Sequence, residues 1–121
     1  MAQLNSMELA IGVDIGGTNT KYGIVNHRGE IIHKGELKTD EHATVESFIN
    51  ALHTALIPIM EKQQKENYKI EGVGIGAPNG NFYSGTIEYA PNLQWKGVIP
   101  LAKMVADQLR VPCILTNDAN A

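Results

Sequence analysis

The stretch that decides the fold is LAIGVDIGGTNTKYGIV, residues 9–25. Its opening residues, Leu9–Val13, form an almost uninterrupted apolar run, which is typical of a strand buried on both faces. Residues Thr20–Val25 form a second predicted strand, and the turn residues Asn26–Gly29 separate it from a third, Glu30–Leu37. The chain is therefore predicted to open as an antiparallel meander of three strands.

A long helix is predicted next. From Thr44 onward the apolar residues recur at intervals of three and four, which indicates an amphipathic helix that reaches about Lys65. Thr44 is its predicted N-cap. Pro58 should kink the helix or divide it, because proline removes the amide that would bond to the carbonyl of Thr54.

The rest of the chain predicts two more strands and one more helix. Lys69–Pro78 predicts a fourth strand that runs into a glycine-rich loop, and residues 79–97 predict at most two or three short extended pieces. A second helix should begin at Ile99 or Pro100 and run to Arg110, and VPCILTND then predicts a fifth strand. The predicted fold class is α/β, with a mixed five-stranded sheet and the element order β-β-β-α-β-α-β.

The composition restricts the partners of the protein. The 121 residues carry a formal net charge of -3, and the ten Lys and Arg residues are scattered, so neither nucleic acid nor an anionic membrane is predicted as a partner. Cys113 is the only cysteine, so no intrachain disulfide can form, and its thiol is predicted to be a small buried group. Because no signal peptide or apolar run of about 20 residues is visible, we expect a soluble, cytoplasmic protein.

An acidic residue and two glycines after the first strand form a candidate phosphate site. Asp14 is carried to the edge of the sheet, where ligand crevices form in open α/β folds. Gly16 and Gly17 can adopt backbone angles that are closed to other residues, so the turn can present bare amides to an anion. Thr18 and Asn19 add side-chain donors, and Asp14 could hold a Mg²⁺ ion. The alternative is a tight glycine hairpin, since the pattern matches neither a P-loop nor a dinucleotide fingerprint.

Three further segments carry candidate ligand groups. Asp118 follows the last strand, where its carboxylate could accept a hydroxyl proton; an ordinary helix cap is the alternative. The loops GAPNG, residues 76–80, and APNLQW, residues 90–95, offer amide groups and one Trp to a hydroxyl-rich ligand such as a sugar, although any surface loop has this composition. The four histidines lack metal-ligand spacing and are predicted to be solvated.

Together and in this order, IGVDIGGTNTKYGIV, GVGIGAP, YAPNLQW and LTNDANA resemble the N-terminal half of sugar kinases of the ROK family, bacterial glucokinases in particular. The resemblance implies the fold of the actin and hexokinase ATPases, in which two ribonuclease H-like domains flank a cleft. Residues 1–121 would then be the N-terminal ribonuclease H-like domain of a truncated chain, and the closing residues DANA would start a helix capped by Asn117 or Asp118. The second phosphate loop, the adenosine pocket and the zinc cluster of the family would lie in a second domain, so we expect this chain alone to be inactive.

The resemblance also implies roles for individual residues. The residues implied for ATP binding are Asp14, Gly16, Gly17, Thr18 and Asn19, with Asp14 next to Mg²⁺. The residues implied for sugar binding are Gly76, Ala77, Pro78, Asn79, Asn92, Asn117 and Asp118. Asp118 is in addition the implied general base. The family commonly has Gly-x-Pro-Gly in the sugar loop, whereas here Asn79 precedes Gly80, so the contribution of this loop stays open.

The function implied by the resemblance is ATP-dependent phosphorylation of a hexose, with glucose favoured, by a full-length protein that is a homo-oligomer. Other ROK kinases, for N-acetylmannosamine, N-acetylglucosamine or fructose, are the nearest alternatives. A ROK transcriptional regulator that binds a sugar and DNA belongs to a different class, and no basic patch or recognition helix supports it here. A sugar-binding module without catalysis is the third possibility.

Overall fold

The computed structural model describes residues 8–118 of the chain. Its elements, in chain order, are β1 (Glu8–Ile15), β2 (Asn19–Asn26), β3 (Ile31–Lys38), α1 (Val45–Lys65), β4 (Lys69–Ala77), β5 (Gly80–Asn81), β6 (Thr86–Glu88), β7 (Val98–Ile99), α2 (Leu101–Leu109) and β8 (Cys113–Asn117). The predicted α/β class and the predicted order of the long elements are confirmed. Of DANA, residues 118–121, where a helix is predicted to start, only Asp118 lies within the described residues.

The main sheet is mixed and has five strands in the order β3-β2-β1-β4-β8. β1, β2 and β3 pair antiparallel, which confirms the predicted meander, while β4 pairs parallel with both β1 and β8. The three short strands β5, β6 and β7 form a separate antiparallel sheet. The parallel strands β1, β4 and β8 therefore all end at the same edge of the main sheet.

Both helices pack on one face of the main sheet. The helices contact each other, α1 contacts β4 and α2 contacts β8. Alternate residues of β1 join the core under them: Leu9, Ile11, Val13 and Ile15 are buried, whereas Gly12 and Asp14 are exposed. The prediction that the first strand is buried on both faces was wrong, because within the described residues only one face of the sheet is covered. The other face carries a groove of about 760 Å³, lined in part by Gly12, Asp14 and Ile114.

Local rules account for the boundaries of α1. The Thr44 side chain accepts a hydrogen bond from the Ser47 amide at 3.1 Å, which confirms the predicted N-cap. The helix is continuous through Pro58, so proline does not divide it. The buried stripe formed by Phe48, Leu52 and Leu56, together with its neighbours, holds both halves of the helix on the sheet.

Candidate functional site

The candidate residues meet at the edge of the sheet where β1, β4 and β8 end. Asp14 is paired with Gly76 of β4, and Gly76 is paired with Thr116 of β8. Because neighbouring strands lie about 4.8 Å apart, Asp14 and Thr116 are roughly 10 Å apart along this row. Asn117 pairs with Ala77, and Asp118 follows it directly. The two acidic residues therefore lie at the same edge of the sheet, at the ends of strands on either side of β4.

Asp14 presents its carboxylate away from the core. Its neighbours Val13 and Ile15 are buried under the helices, and the alternation of side chains along a strand directs Asp14 to the opposite, exposed face. Within residues 8–118 the ion pairs are Lys69–Glu71 and Lys103–Asp107, and Asp14 takes part in neither. An exposed carboxylate without an ion-pair partner at a strand end can bind a cation that a ligand brings.

The glycines after β1 are required for space. A Cβ added to Gly16 would lie 2.9 Å from the Asn19 carbonyl oxygen. A Cβ added to Gly17 would lie 2.7 Å from the Asn92 carbonyl oxygen. Neither glycine has the positive φ that favours glycine over other residues, so the expectation of unusual backbone angles was wrong. The cause is close backbone packing: the Gly16 amide donates to the Asn19 carbonyl at 3.0 Å, and the loop touches a segment far along the chain.

The loop of residues 16–19 has the donors that a phosphate requires. The backbone amides of Gly17 and Thr18 have no hydrogen-bond acceptor within residues 8–118, and the side chains of Thr18 and Asn19 are exposed. Amides that share such a bend can bind one anion together. Because Gly17 has no side chain, none shields its amide from an anion. The loop thus fits a phosphate group, and Asp14 beside it fits a phosphate-bound Mg²⁺.

A buried pair of threonines lies next to the loop of residues 16–19 and stabilises it. The hydroxyl groups of Thr20 and Thr39 are 2.7 Å apart, and both residues are buried. The Thr39 amide also donates to the Thr18 carbonyl at 2.8 Å, which ties the end of β3 to the loop. Neither threonine was predicted from the sequence to support the site. The burial of Thr20 could have been predicted, because Thr20 lies on the same face of β2 as the buried Ile24.

The loop that contains Asn92 is anchored to the segment between β3 and α1. The Trp95 indole donates from Nε1 to the His42 carbonyl at 3.0 Å, and the Gln94 amide donates to the Asp40 carbonyl at 2.9 Å. Trp95 is 4% exposed and its ring lies 4.8 Å from that of Phe48. Trp95 is therefore a core residue, and the suggestion that it faces a sugar was wrong. Asn92 itself is exposed beside Gly17.

The predicted sugar loop is mostly buried. Gly76, Ala77 and Pro78 are buried, so they can offer only backbone groups, and proline has no amide hydrogen. Asn79 is exposed, but its Nδ2 atom donates to the carbonyls of Glu88 at 2.9 Å and Tyr89 at 3.2 Å. The Asn79 amide nitrogen thus already has partners in this chain.

The end of β8 brings the last two candidate residues, Asn117 and Asp118, to the same edge of the sheet. Asn117 is half-buried and already interacts with the rest of the chain, while Asp118 is exposed. Gly80 fits tightly here, since a Cβ added to it would lie 2.5 Å from the Thr116 carbonyl oxygen. Gly80 therefore packs closely against β8, one residue before Asn117.

Other reactive groups take no part in this site. Burial raises the pKa of the half-buried Cys113 thiol to about 11, so the thiol is protonated at neutral pH. His42 is also half-buried, with its Nδ1 atom 2.8 Å from the Ser47 hydroxyl, so the prediction of solvated histidines was wrong there.

Among residues 8–118, no three His, Cys, Asp or Glu side chains could hold a metal together, and neither helix is long and apolar enough to cross a membrane.

Comparison with known proteins gives consistent matches along almost the whole chain. The ROK family profile matches residues 10–121. A glucokinase from Streptomyces coelicolor is 36% identical over 118 residues, which are 95% of this chain and 34% of that protein. The xylose repressor of Caldicellulosiruptor bescii is 30% identical over 112 residues, which are 92% of this chain and 28% of that protein. The chain thus spans about a third of the length of the glucokinases that it matches.

Solved structures agree with these matches. A ROK family glucokinase from Streptomyces griseus, in complex with glucose and AMPPNP, superposes with a TM-score of 0.74 at 34% identity, over 93% of this chain and 34% of that one. A ROK hexokinase from Thermus thermophilus superposes with a TM-score of 0.73 at 26% identity, over 93% of this chain and 36% of that one. The fold is therefore the actin- and hexokinase-like ATPase fold of the ROK kinases.

Proposed function

Because this chain belongs to the ROK family, we propose that residues 1–121 are the N-terminal, ribonuclease H-like domain of a longer ATP-dependent kinase that phosphorylates glucose. The observation that carries the proposal is the convergence of Asp14, the loop of residues 16–19, Asn92 and Asp118 on one edge of the sheet. Phosphoryl transfer needs positioned phosphates and a base near the acceptor hydroxyl. This edge offers both.

The nucleotide phosphates would lie against the loop after β1. The amides of Gly17 and Thr18 have no other acceptor within residues 8–118, so they can donate to phosphate oxygens. Asp14 would hold Mg²⁺ beside them. When bound, Mg²⁺ neutralises part of the phosphate charge.

The sugar would lie between the Asn92 loop and the end of β8. The side chains of Asn92 and Asn117 can each offer both a donor and an acceptor to sugar hydroxyls, and the Gly76–Asn79 loop forms the wall between them. The Asp118 carboxylate would accept the proton of the attacking hydroxyl as that oxygen bonds to the γ-phosphorus of ATP and the bond from this phosphorus to ADP breaks, which releases ADP. The fragment lacks the rest of such a cleft, so we expect no turnover of glucose and ATP by the 121-residue chain alone.

The role of Asp118 is tested by Asp118→Asn in the full kinase. Asparagine keeps the shape and is as good a helix cap as aspartate, but it cannot take up the proton. Turnover should fall by about 10²- to 10⁴-fold, which is the usual contribution of a general base. Circular dichroism provides the control for folding. Turnover close to that of the wild type would exclude Asp118 as the base.

The substrate is tested with a panel of sugars in a coupled ATPase assay. Glucose should give the highest kcat/KM, and a higher value for fructose, N-acetylmannosamine or N-acetylglucosamine would assign the chain to another kinase of the family.

A sugar-responsive DNA-binding regulator is the second candidate, because the match to the xylose repressor covers the same residues. That function predicts operator DNA binding by the full protein and no sugar-dependent ADP formation. Rapid ADP formation without DNA binding would leave only the kinase.

A further inference from the structure

We infer that Asn79 is a positioning residue that sets the place of Asn92 in the sugar site; this inference rests on the proposed function. Asn79 is the third residue of the turn Ala77–Gly80, which joins β4 to β5, and its φ is 55°. Pro78 before it restricts its own φ, and a positive φ at the third position is typical of a type II turn. Asparagine tolerates this conformation better than other residues with a side chain.

The Asn79 side chain connects this turn to the segment before Asn92. Its Nδ2 atom donates to two carbonyl oxygens, of Glu88 at 2.9 Å and of Tyr89 at 3.2 Å. Two acceptors at this place define the amide orientation, because only the NH₂ group can donate. Glycine at position 79 could adopt the same backbone conformation but could not make these two bonds. Aspartate at position 79 would place a carboxylate oxygen against the two carbonyl oxygens.

The residue that receives one of these bonds sits at a sharp change of chain direction. Tyr89 has a φ of 55°, a conformation that is uncommon for a bulky residue. Its side chain is 72% exposed, so packing of the ring does not hold this conformation. The backbone bonds do: the Tyr89 amide donates to the Gly97 carbonyl at 2.9 Å, and its carbonyl accepts from Asn79.

Asn92 follows Tyr89 by three residues, and its backbone has little room to move because it packs against Gly17. Its carbonyl oxygen lies 2.7 Å from the position of a Cβ on Gly17, so the Asn92 backbone is packed against the phosphate loop. Ala90 and Leu93, each 2% exposed, anchor the apolar side of the segment. Asn79 supplies the polar anchor at its start, and its loss would let Tyr89 relax and shift Asn92 relative to Gly17.

The experiment compares Asn79→Gly and Asn79→Asp with Asn67→Gly as the matched control. Asn67 has a φ of 69° and is exposed just after α1, at the opposite end of β4 from Asn79. Asn79→Gly and Asn67→Gly therefore share the entropic cost of glycine in the unfolded chain. In the full kinase, Asn79→Gly and Asn79→Asp should raise KM for glucose by about 3- to 10-fold, which corresponds to one misplaced hydrogen bond. KM for ATP should stay unchanged, and Asn79→Gly should melt below Asn67→Gly, because Asn79→Gly also removes two side-chain hydrogen bonds.

A second readout does not depend on activity. In ¹⁵N spectra of the 121-residue chain, Asn79→Gly should shift the amide signals of residues 89, 90, 92 and 93, while Asn67→Gly should leave them in place. Unchanged signals there, or an unchanged KM for glucose in an active kinase, would overturn the inference. An inactive wild-type kinase would contradict the proposed function instead, and the spectra would still decide whether Asn79 positions Asn92.

Discussion

Gly17→Ala tests the contact between the loop of residues 16–19 and the backbone of Asn92. A methyl group on Gly17 would lie 2.7 Å from the Asn92 carbonyl oxygen. Because non-bonded contacts to carbon are comfortable near 3.5 Å, one of the two backbones must retreat by about 0.8 Å. Neither can do so freely. Thr18 is tied to Thr39, and the segment around Asn92 is held by the buried Trp95.

The expected cost follows from this lack of freedom. Added atoms in a well-packed region typically cost about 1 to 3 kcal/mol of the free energy of unfolding. Gly12→Ala is the matched control, since nothing lies within 4 Å of a Cβ added there and its φ is not positive. A compatible Gly→Ala change stabilises by about 0.4 to 1 kcal/mol through the unfolded chain. The two variants should therefore differ by about 2 kcal/mol in the free energy of unfolding.

The assay is urea unfolding of the 121-residue chain, followed by the fluorescence of its single tryptophan, the buried Trp95. With a slope typical of small proteins, the urea midpoint of Gly17→Ala should lie about 1 M below that of Gly12→Ala. Equal midpoints would refute the close contact between the loop and Asn92.

Three further predictions concern single side chains. Asp14→Asn in the full kinase should raise the Mg²⁺ concentration needed for half-maximal rate, because a neutral amide binds the ion more weakly; an unchanged Mg²⁺ titration would exclude Asp14 as a ligand. The Cys113 thiol should react with a disulfide reagent at pH 8 about 10-fold more slowly in the folded chain than in urea, because burial raises its pKa to about 11 and so lowers the thiolate fraction; equal rates would contradict that burial. Hydrogen bonds from Thr86 first, then from Asn81 and Ser84, lower the pKa of the Glu88 carboxyl below 4.5, so the stability they contribute should be present above pH 4.5 and lost as pH falls through the lowered pKa. An NMR titration that places Glu88 at or above 4.5 would show that these bonds do not form in solution.

Much of the fold follows from the sequence by local rules. The apolar spacing after Thr44 and the cap at Thr44 define α1, and both depend only on residues within a few positions of one another. The turn at Asn26–Gly29 defines the β2–β3 hairpin in the same way, with Gly29 at a φ of 81° and the Asn26 side chain accepting from the Arg28 amide. The position of Asp14 near a strand end could also be predicted, because the apolar run Leu9–Val13 stops before it.

The contacts that build the site were decided by the tertiary structure. Trp95 and His42 are 53 residues apart in the chain, and Gln94 and Asp40 are 54 apart, so no local pattern indicates that they bond. The same holds for the space around Gly17: the sequence predicts that glycine matters there, but only the approach of Asn92 shows that the reason is steric. Asn79 looked like a ligand because its type and loop position suit a sugar, whereas its amide bonds to carbonyls nine and ten residues away. Sequence patterns report the periodicity of burial and the preferences of turns, while the position of one loop against another depends on how distant segments pack on the sheet.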